Sequence, residues 1–322
     1  MSGYLITGIL LRLKDQGAAA DVVSSTGYWR AFYFQRARRI LPPYFLFLVM
    51  VELFFQVPWS HLWYWYALFG ANIAVAMKGE ALLAMLPLWS LAVEEQFYLV
   101  WPFVVRIASS RMLKTVAISI IVATPVLRAV CTPLFHSRWP IYTLPFFRVD
   151  TLAWGALIAV SEYQTPAWIS LHRPLGGMSA IAAGSILAAL SSFHSFRLTA
   201  NSMPFNALGY SLIGIVFGGI LIYVLGSQAG FVHWLLTRRA LRYLGKISYT
   251  FYLYHFGVIV LLQQNIHSRG LSGILAFLIT SAIASVSWAF LERPILSRWP
   301  RNDAQGSGGR PHPGARAAGL GN

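Results

Sequence analysis

Apolar residues fall into long blocks at about 40–57, 62–78, 86–105, 112–131, 143–161, 177–196, 206–226, 247–266 and 272–291, with polar and basic residues between them. A helix needs about 20 mostly apolar residues to cross a bilayer, because in hydrocarbon only a closed ladder of backbone hydrogen bonds is tolerated. The blocks predict an all-α, polytopic transmembrane helical bundle of about eight to nine spans. Trp59, Trp63, Trp65 and Trp139 sit at block ends, where interfacial aromatic belts form. The opening stretch Ser2–Leu11 holds only about ten apolar residues, too few to span. With neither a basic leader nor a small-residue cleavage site it is a poor signal peptide, and it is read as the second half of a helix, an N-terminal half-span.

Composition agrees: 57% of the 322 residues are hydrophobic and 11% charged, against roughly a quarter charged in soluble domains. The net charge of +15 does not signal nucleic acid, since the Lys and Arg lie between apolar blocks and in the tail. They come in four bursts, Arg30 to Arg39, Arg106 to Lys114, Arg238 to Lys246, and Arg293 onward. The positive-inside rule places such loops on the cytoplasmic face of the membrane. Three full crossings between Arg39 and Arg106 would separate the first two bursts, so one block is expected not to cross. The block 86–105, which carries two carboxylates, is the candidate for a re-entrant or broken helix. Residues 1–296 form one membrane domain, and 297–322, rich in Gly, Ala, Pro and Arg, form a tail that is expected to be disordered from Arg301 on.

Ionisable groups at mid-membrane cost about 2.5–3.5 kcal/mol each on insertion scales, so those present are functional suspects. They are Glu94, Glu95, Arg128, Arg148, Asp150 and His255, with Glu52 and Glu292 nearer block ends. On a helix Ser90, Glu94 and Tyr98 share one face at i, i+4 and i+8, where a carboxylate can serve proton transfer or hold two helices together through an Arg. Ser248, Tyr252 and His255 also share a face, and His255 is either a proton-handling group or a satisfied core histidine. Arg36 and Arg39 can fork onto a phosphate, or act as a topogenic cluster facing anionic lipid. Arg148 and Asp150, two apart, cannot face each other on a helix and require separate partners, while Gly155 suits close helix packing. The single cysteine, Cys131, cannot form an internal disulfide. There is no Walker A loop, dinucleotide fingerprint, H-E-x-x-H, Cys/His metal spacing or nucleophile elbow, so neither a metal nor a bound cofactor is expected.

In order along the chain these stretches resemble the acyltransferase-three family of membrane proteins, which includes bacterial polysaccharide and lipopolysaccharide O-acetyltransferases. Ser2 to Thr7 matches S-G-[FY]-L-I-T, residues 36 to 42 match R-x-x-R-I-x-P with Gln35 in place of a frequent Arg, and Trp89 to Tyr98 completes W-S-L-x-V-E-x-Q-F-Y. Arg148 to Ala159 completes R-x-D-x-L-x-x-G-x-L-x-A, Ser248 to His255 completes S-Y-x-x-Y-L-x-H, and Glu292-Arg293-Pro294 matches E-x-P. The resemblance covers the chain up to Pro294 and implies a preceding span with an Arg or Lys ten residues ahead of an essential His, so the chain is expected to begin in span two.

What the resemblance implies is transfer of an acyl group, usually acetyl from acetyl-CoA as co-substrate, to a hydroxyl of a carbohydrate or lipid-linked glycan, in contact with membrane lipid. Glu94, His255 and Asp150 are then the candidate catalytic groups, with Arg36, Arg39 and Arg148 and the hydroxyls of Ser90, Tyr98, Ser248 and Tyr252 as candidate substrate contacts. Glu94 is expected to handle the proton or orient the acceptor, His255 to make a supporting polar contact, and Arg148 with Asp150 to shape the cavity. The rival expectations are a transporter or flippase of an acyl group or lipid-linked sugar, or an inactive truncated remnant.

Overall fold

The computed structural model describes residues 1–19, 25–57, 63–78, 83–197 and 200–298. Trp59 and residues 299–322, most of the tail, lie outside the described residues. Among those described there is helix and no strand, and the all-α expectation holds. The chain runs through α1 (Ser2–Ala19), α2 (Ser25–Phe55), α3 (Trp63–Ala67), α4 (Ala71–Lys78), α5 (Leu88–Ile107), α6 (Ser110–Cys131) and α7 (Trp139–Thr143). It continues through α8 (Val149–Gln164), α9 (Trp168–Ser191), α10 (Tyr210–Leu225), α11 (Gly230–Leu236), α12 (Arg239–Asn265), α13 (Arg269–Ser287) and α14 (Arg293–Ser297).

Four helical stretches, Ser110–Leu134, Trp168–Ser191, Phe205–Leu225 and Arg269–Ser297, are long and apolar enough to cross a membrane. They turn large apolar side chains outward, among them Val122, Ile181, Phe217 and Ile274, as a surface solvated by lipid does. These four do not establish the expected eight to nine. Helices α2, α5 and α12 match them in length, but each carries ionisable residues. The helices that carry most of the candidate site residues are thus ones whose polarity dilutes the membrane signal. The expected half-helix at the start is an 18-residue helix that continues past the apolar run through Lys14.

The break expected inside 86–105 lies instead in 62–78. Helix α5 is continuous over 20 residues, about 30 Å at a rise of about 1.5 Å per residue. The block before it is split into pieces of 5 and 8 residues, each far too short to cross. The joint is a turn in which Phe69 takes φ +54° and a Cβ on Gly70 would lie 2.7 Å from the Trp65 ring. Gln96 of α5 clasps it, with Nε2 donating to the Phe69 carbonyl at 3.0 Å and the amide exchanging bonds of 3.0 and 3.1 Å with Asn72. Tyr44 stacks on Phe69 and donates to the Tyr66 carbonyl at 2.6 Å.

The basic bursts meet at one end of the helix bundle. The Tyr28 hydroxyl donates to the Pro102 carbonyl and Arg106 lies over the Tyr28 ring, so the start of α2 sits beside the end of α5. Lys14 donates to the Val105 and Ala108 carbonyls at that end, where the partial negative charge of a helix terminus favours a cation. The Tyr249 hydroxyl donates to the Ile40 carbonyl, beside Pro42 and Pro43, which withdraw two donors from the α2 ladder. That contact brings the basic start of α12 to the same end. Thr250 donates to buried Glu292 at 2.7 Å, which brings Arg293 there as well.

The innermost contact joins α1 to α8. A Cβ on Gly3 would stand 2.0 Å from the Leu152 carbonyl oxygen, and one on Gly155 would stand 2.6 Å from the Tyr4 nitrogen. The glycines of two separate motifs therefore explain each other, since only two bare backbones can approach this closely. Around this crossing Ile6, Leu10, Phe32, Phe97, Trp101 and Ala156 form the main core, and the Trp101 indole donates to Thr7 at 2.8 Å.

Candidate active site

Three helices converge on a cavity of about 420 Å³ whose lining includes Arg36 and Arg39 of the first basic burst. Helix α2 contributes Arg36 and Arg39, α5 contributes Ser90, Glu94, Glu95 and Tyr98, and α12 contributes Ser248, Tyr249 and Tyr252, with Ser2 and Leu5 of α1 closing the side. Seven of the ten residues singled out in the sequence thus line one space: Arg36, Arg39, Ser90, Glu94, Tyr98, Ser248 and Tyr252. The helical spacing accounts for the α5 stripe. Tyr98 donates to Glu94 Oε2 at 3.0 Å, one turn away, and the Arg36 guanidinium lies 5.0 Å over the Tyr98 ring. The carboxylate, phenol and guanidinium form a continuous wall.

Glu95 was underweighted by the stripe reading. It shares the cavity with Glu94, and its Oε1 is buried without a hydrogen-bond partner. A buried oxygen without a partner costs roughly 1–3 kcal/mol, more if charged. The signal available in the sequence was the doublet itself.

Ser90 and Tyr252 meet at 2.5 Å, and the Tyr252 hydroxyl also reaches the Pro87 carbonyl at 2.7 Å. A phenol has one proton, so with that proton on the carbonyl, Ser90 is the donor to Tyr252. This contact forms the inner wall of the cavity.

The remaining three candidates lie elsewhere, and the expectation that Arg148 and Asp150 shape this cavity is corrected. Asp150 Oδ2 pairs with Arg128 at 2.8 Å, both side chains being all but fully buried. Arg128 also donates to the carbonyls of Asn206 and Phe147 and to the Ser211 hydroxyl, at 2.6–2.7 Å. The π-helical turn Phe205–Gly209 presents the Asn206 carbonyl. Arg148 looks away from Asp150, as two-residue spacing demands, and lies over the rings of Trp89, Tyr142 and Tyr210. His255 borders a different cavity, with Nδ1 2.6 Å from the Tyr252 carbonyl. A carbonyl only accepts, so Nδ1 is the donor and Nε2 carries the lone pair of the neutral ring. Among the described residues no three His, Cys, Asp or Glu side chains converge to hold a metal ion.

Known proteins give the same outline. The chain matches the family described as "Acyltransferase domain" over residues 1–292. It is 26% identical to YrhL of Bacillus subtilis, named as a provisional peptidoglycan O-acetyltransferase, over 92% of this chain and 49% of that protein. It is 25% identical to the peptidoglycan O-acetyltransferase OatA of Listeria monocytogenes over 92% of this chain and 50% of the relative. With the O-acetyltransferase OatA of Staphylococcus aureus the identity is 23%, over 92% and 51%. The chain spans about half the length of these curated relatives. No solved structure matches it. A match from Met1 to Glu292, together with helices built for lipid, places this chain in the acyltransferase-three family of integral membrane proteins.

Proposed function

We propose that this chain transfers an acetyl group from acetyl-CoA to a hydroxyl of a carbohydrate polymer or lipid-linked glycan, at the cytoplasmic membrane of a bacterium. The observation that carries the reading is the cavity at the basic end, which sets two arginines beside two carboxylates and six hydroxyl-bearing side chains. CoA is an anionic, phosphate-bearing donor, and the guanidinium fork is the side chain best matched to phosphate. Arg36 and Arg39 hold that part of the donor at the mouth, and the thioester reaches inward toward Glu94 and Ser90. The curated relatives named for peptidoglycan favour a glycan acceptor.

The reaction forms a C–O bond from the acceptor hydroxyl to the acetyl carbon and breaks the C–S bond. The hydroxyl proton passes to Glu94 and from there to the leaving thiolate. Glu94 can do this because one oxygen is fixed by Tyr98, which orients the other. Water-poor surroundings strengthen every such contact.

The test is transfer of radiolabelled acetyl from acetyl-CoA to peptidoglycan fragments by the chain in lipid nanodiscs. Glu94→Gln should reduce transfer on the order of 100-fold. Undiminished transfer in that variant refutes the role of Glu94, and no transfer by the native chain across a wide glycan panel refutes the reading.

A further inference from the structure

Behind the inner wall lies a second chamber of about 370 Å³, lined by Trp89, Arg138, Trp139, Tyr142, Tyr252 and His255 among others. Its size falls in the roughly 300–1,000 Å³ range of small-molecule sites. It lies toward the other end of the molecule. Helix α6 leaves the basic end at Ser110 and runs 22 residues, about 33 Å, before the chain turns into α7, where Trp139 stands. Tyr252 lines both cavities, Ser90 only the first and Pro87 only the second. The hydrogen-bonded group of Ser90, Tyr252 and the Pro87 carbonyl is therefore a partition one side chain thick.

We infer that this chamber is a binding subsite for a pyranose ring of the acceptor, which presents a hydroxyl to the donor cavity at the Ser90–Tyr252 partition. The inference rests on the acyl-transfer reading above and adds where the acceptor sits. Three observations carry it. Trp89, Trp139 and Tyr142 form an angled aromatic wall, with Tyr142 centred 4.6 Å from Trp89 and 6.1 Å from Trp139; such ring faces take the C–H faces of a sugar. The wall is held from outside the lining, since Arg148 lies 5.7 Å over Trp89 and 5.5 Å over Tyr142, which gives that arginine a positioning role. The polar groups are few and suited to hydroxyls: the phenol of Tyr142, the His255 Nε2 acceptor and the Arg138 guanidinium, which lies 4.8 Å over Trp139. Among the described lining residues there is a single arginine, Arg138, and no carboxylate, which fits a neutral polyhydroxylated ligand better than a phosphate or a cation.

The probe is chitotriose, titrated without donor into the full chain in nanodiscs and followed calorimetrically. The native chain should bind it saturably. Trp139→Ala should raise Kd roughly tenfold and His255→Gln should raise it measurably, while Trp234→Ala, at an exposed site on α11, should leave it within about twofold. His255→Gln keeps the test valid if Trp139→Ala does not fold. No saturable binding by the native chain, or unchanged Kd in both chamber variants, overturns the inference. Chitotriose binding that depends on the chamber in a protein without acetyl transfer supports the subsite and removes the catalytic reading. Transfer with chamber-independent binding removes the subsite alone.

Discussion

Replacing Asp150 by Ala should unfold the protein's interior rather than disable its chemistry. Among the described residues the carboxylate is the one anion paired with Arg128, at 2.8 Å, and the side chain of Arg128 is fully buried; the three remaining guanidinium hydrogen bonds are to a carbonyl, a carbonyl and a hydroxyl. Removing one partner of a buried pair costs about 3–5 kcal/mol, because the other charge is left without compensation. At roughly 2–4 °C per kcal/mol for a chain of a few hundred residues, the melting temperature should fall on the order of 10 °C. A double variant, Arg128→Met with Asp150→Leu, removes both charges and should recover most of that loss. Melting followed by tryptophan fluorescence in detergent gives all four corners of the cycle. If Asp150→Ala melts like the native protein and yet transfers no acetyl, Asp150 belongs to the chemistry and the structural assignment is wrong.

Further outcomes follow from the same contacts. Gly155→Leu sets a branched side chain where a Cβ already meets the Tyr4 nitrogen at 2.6 Å; it should destabilise by about 1–3 kcal/mol or more and expose α1 to protease, and a native melting curve would contradict the close crossing. Gln96→Leu strips the Asn72 amide and the Phe69 carbonyl of their partners, at a cost of roughly 1–3 kcal/mol, read as faster hydrogen exchange at residues 66–72; unchanged exchange would refute the clasp. Tyr98→Phe frees Glu94 Oε2 and should lower the acetyl-transfer rate by about tenfold with little change in melting; a lost fold instead would make the phenol structural.

Much of the site was legible because helical periodicity is rigid. Ser90, Glu94 and Tyr98 had to share a face, and Ser248 and Tyr252 likewise, so two stripes were known before their helices were seen to pack together. The same rule overreached at His255. Seven residues return nearly to the starting azimuth but advance about 10 Å along the axis, which carries this ring past the partition into the next chamber. Asp150 was assigned to the cavity because nothing local marks Arg128 as its partner, 22 positions earlier in another helix. The broken segment was misplaced because charge was weighted above chain geometry. The carboxylates of 86–105 are accommodated by a cavity without interrupting the helix, while in 62–78 a single Gly70 within an aromatic run breaks it.

That interruption has a bearing on how the gene can vary. Two helices of five and eight residues joined by a turn leave the backbone groups of the joint outside the helix ladder, so those groups need partners from elsewhere. Were α3 and α4 fused into a single rod by changes at Phe69 and Gly70, the Phe69 carbonyl would enter the helix ladder and the Gln96 amide would lose the acceptor it now holds. The clasp of Gln96 on Asn72 thus keeps the joint from closing into a helix, a reason for those amides to resist substitution that has nothing to do with the acyl group.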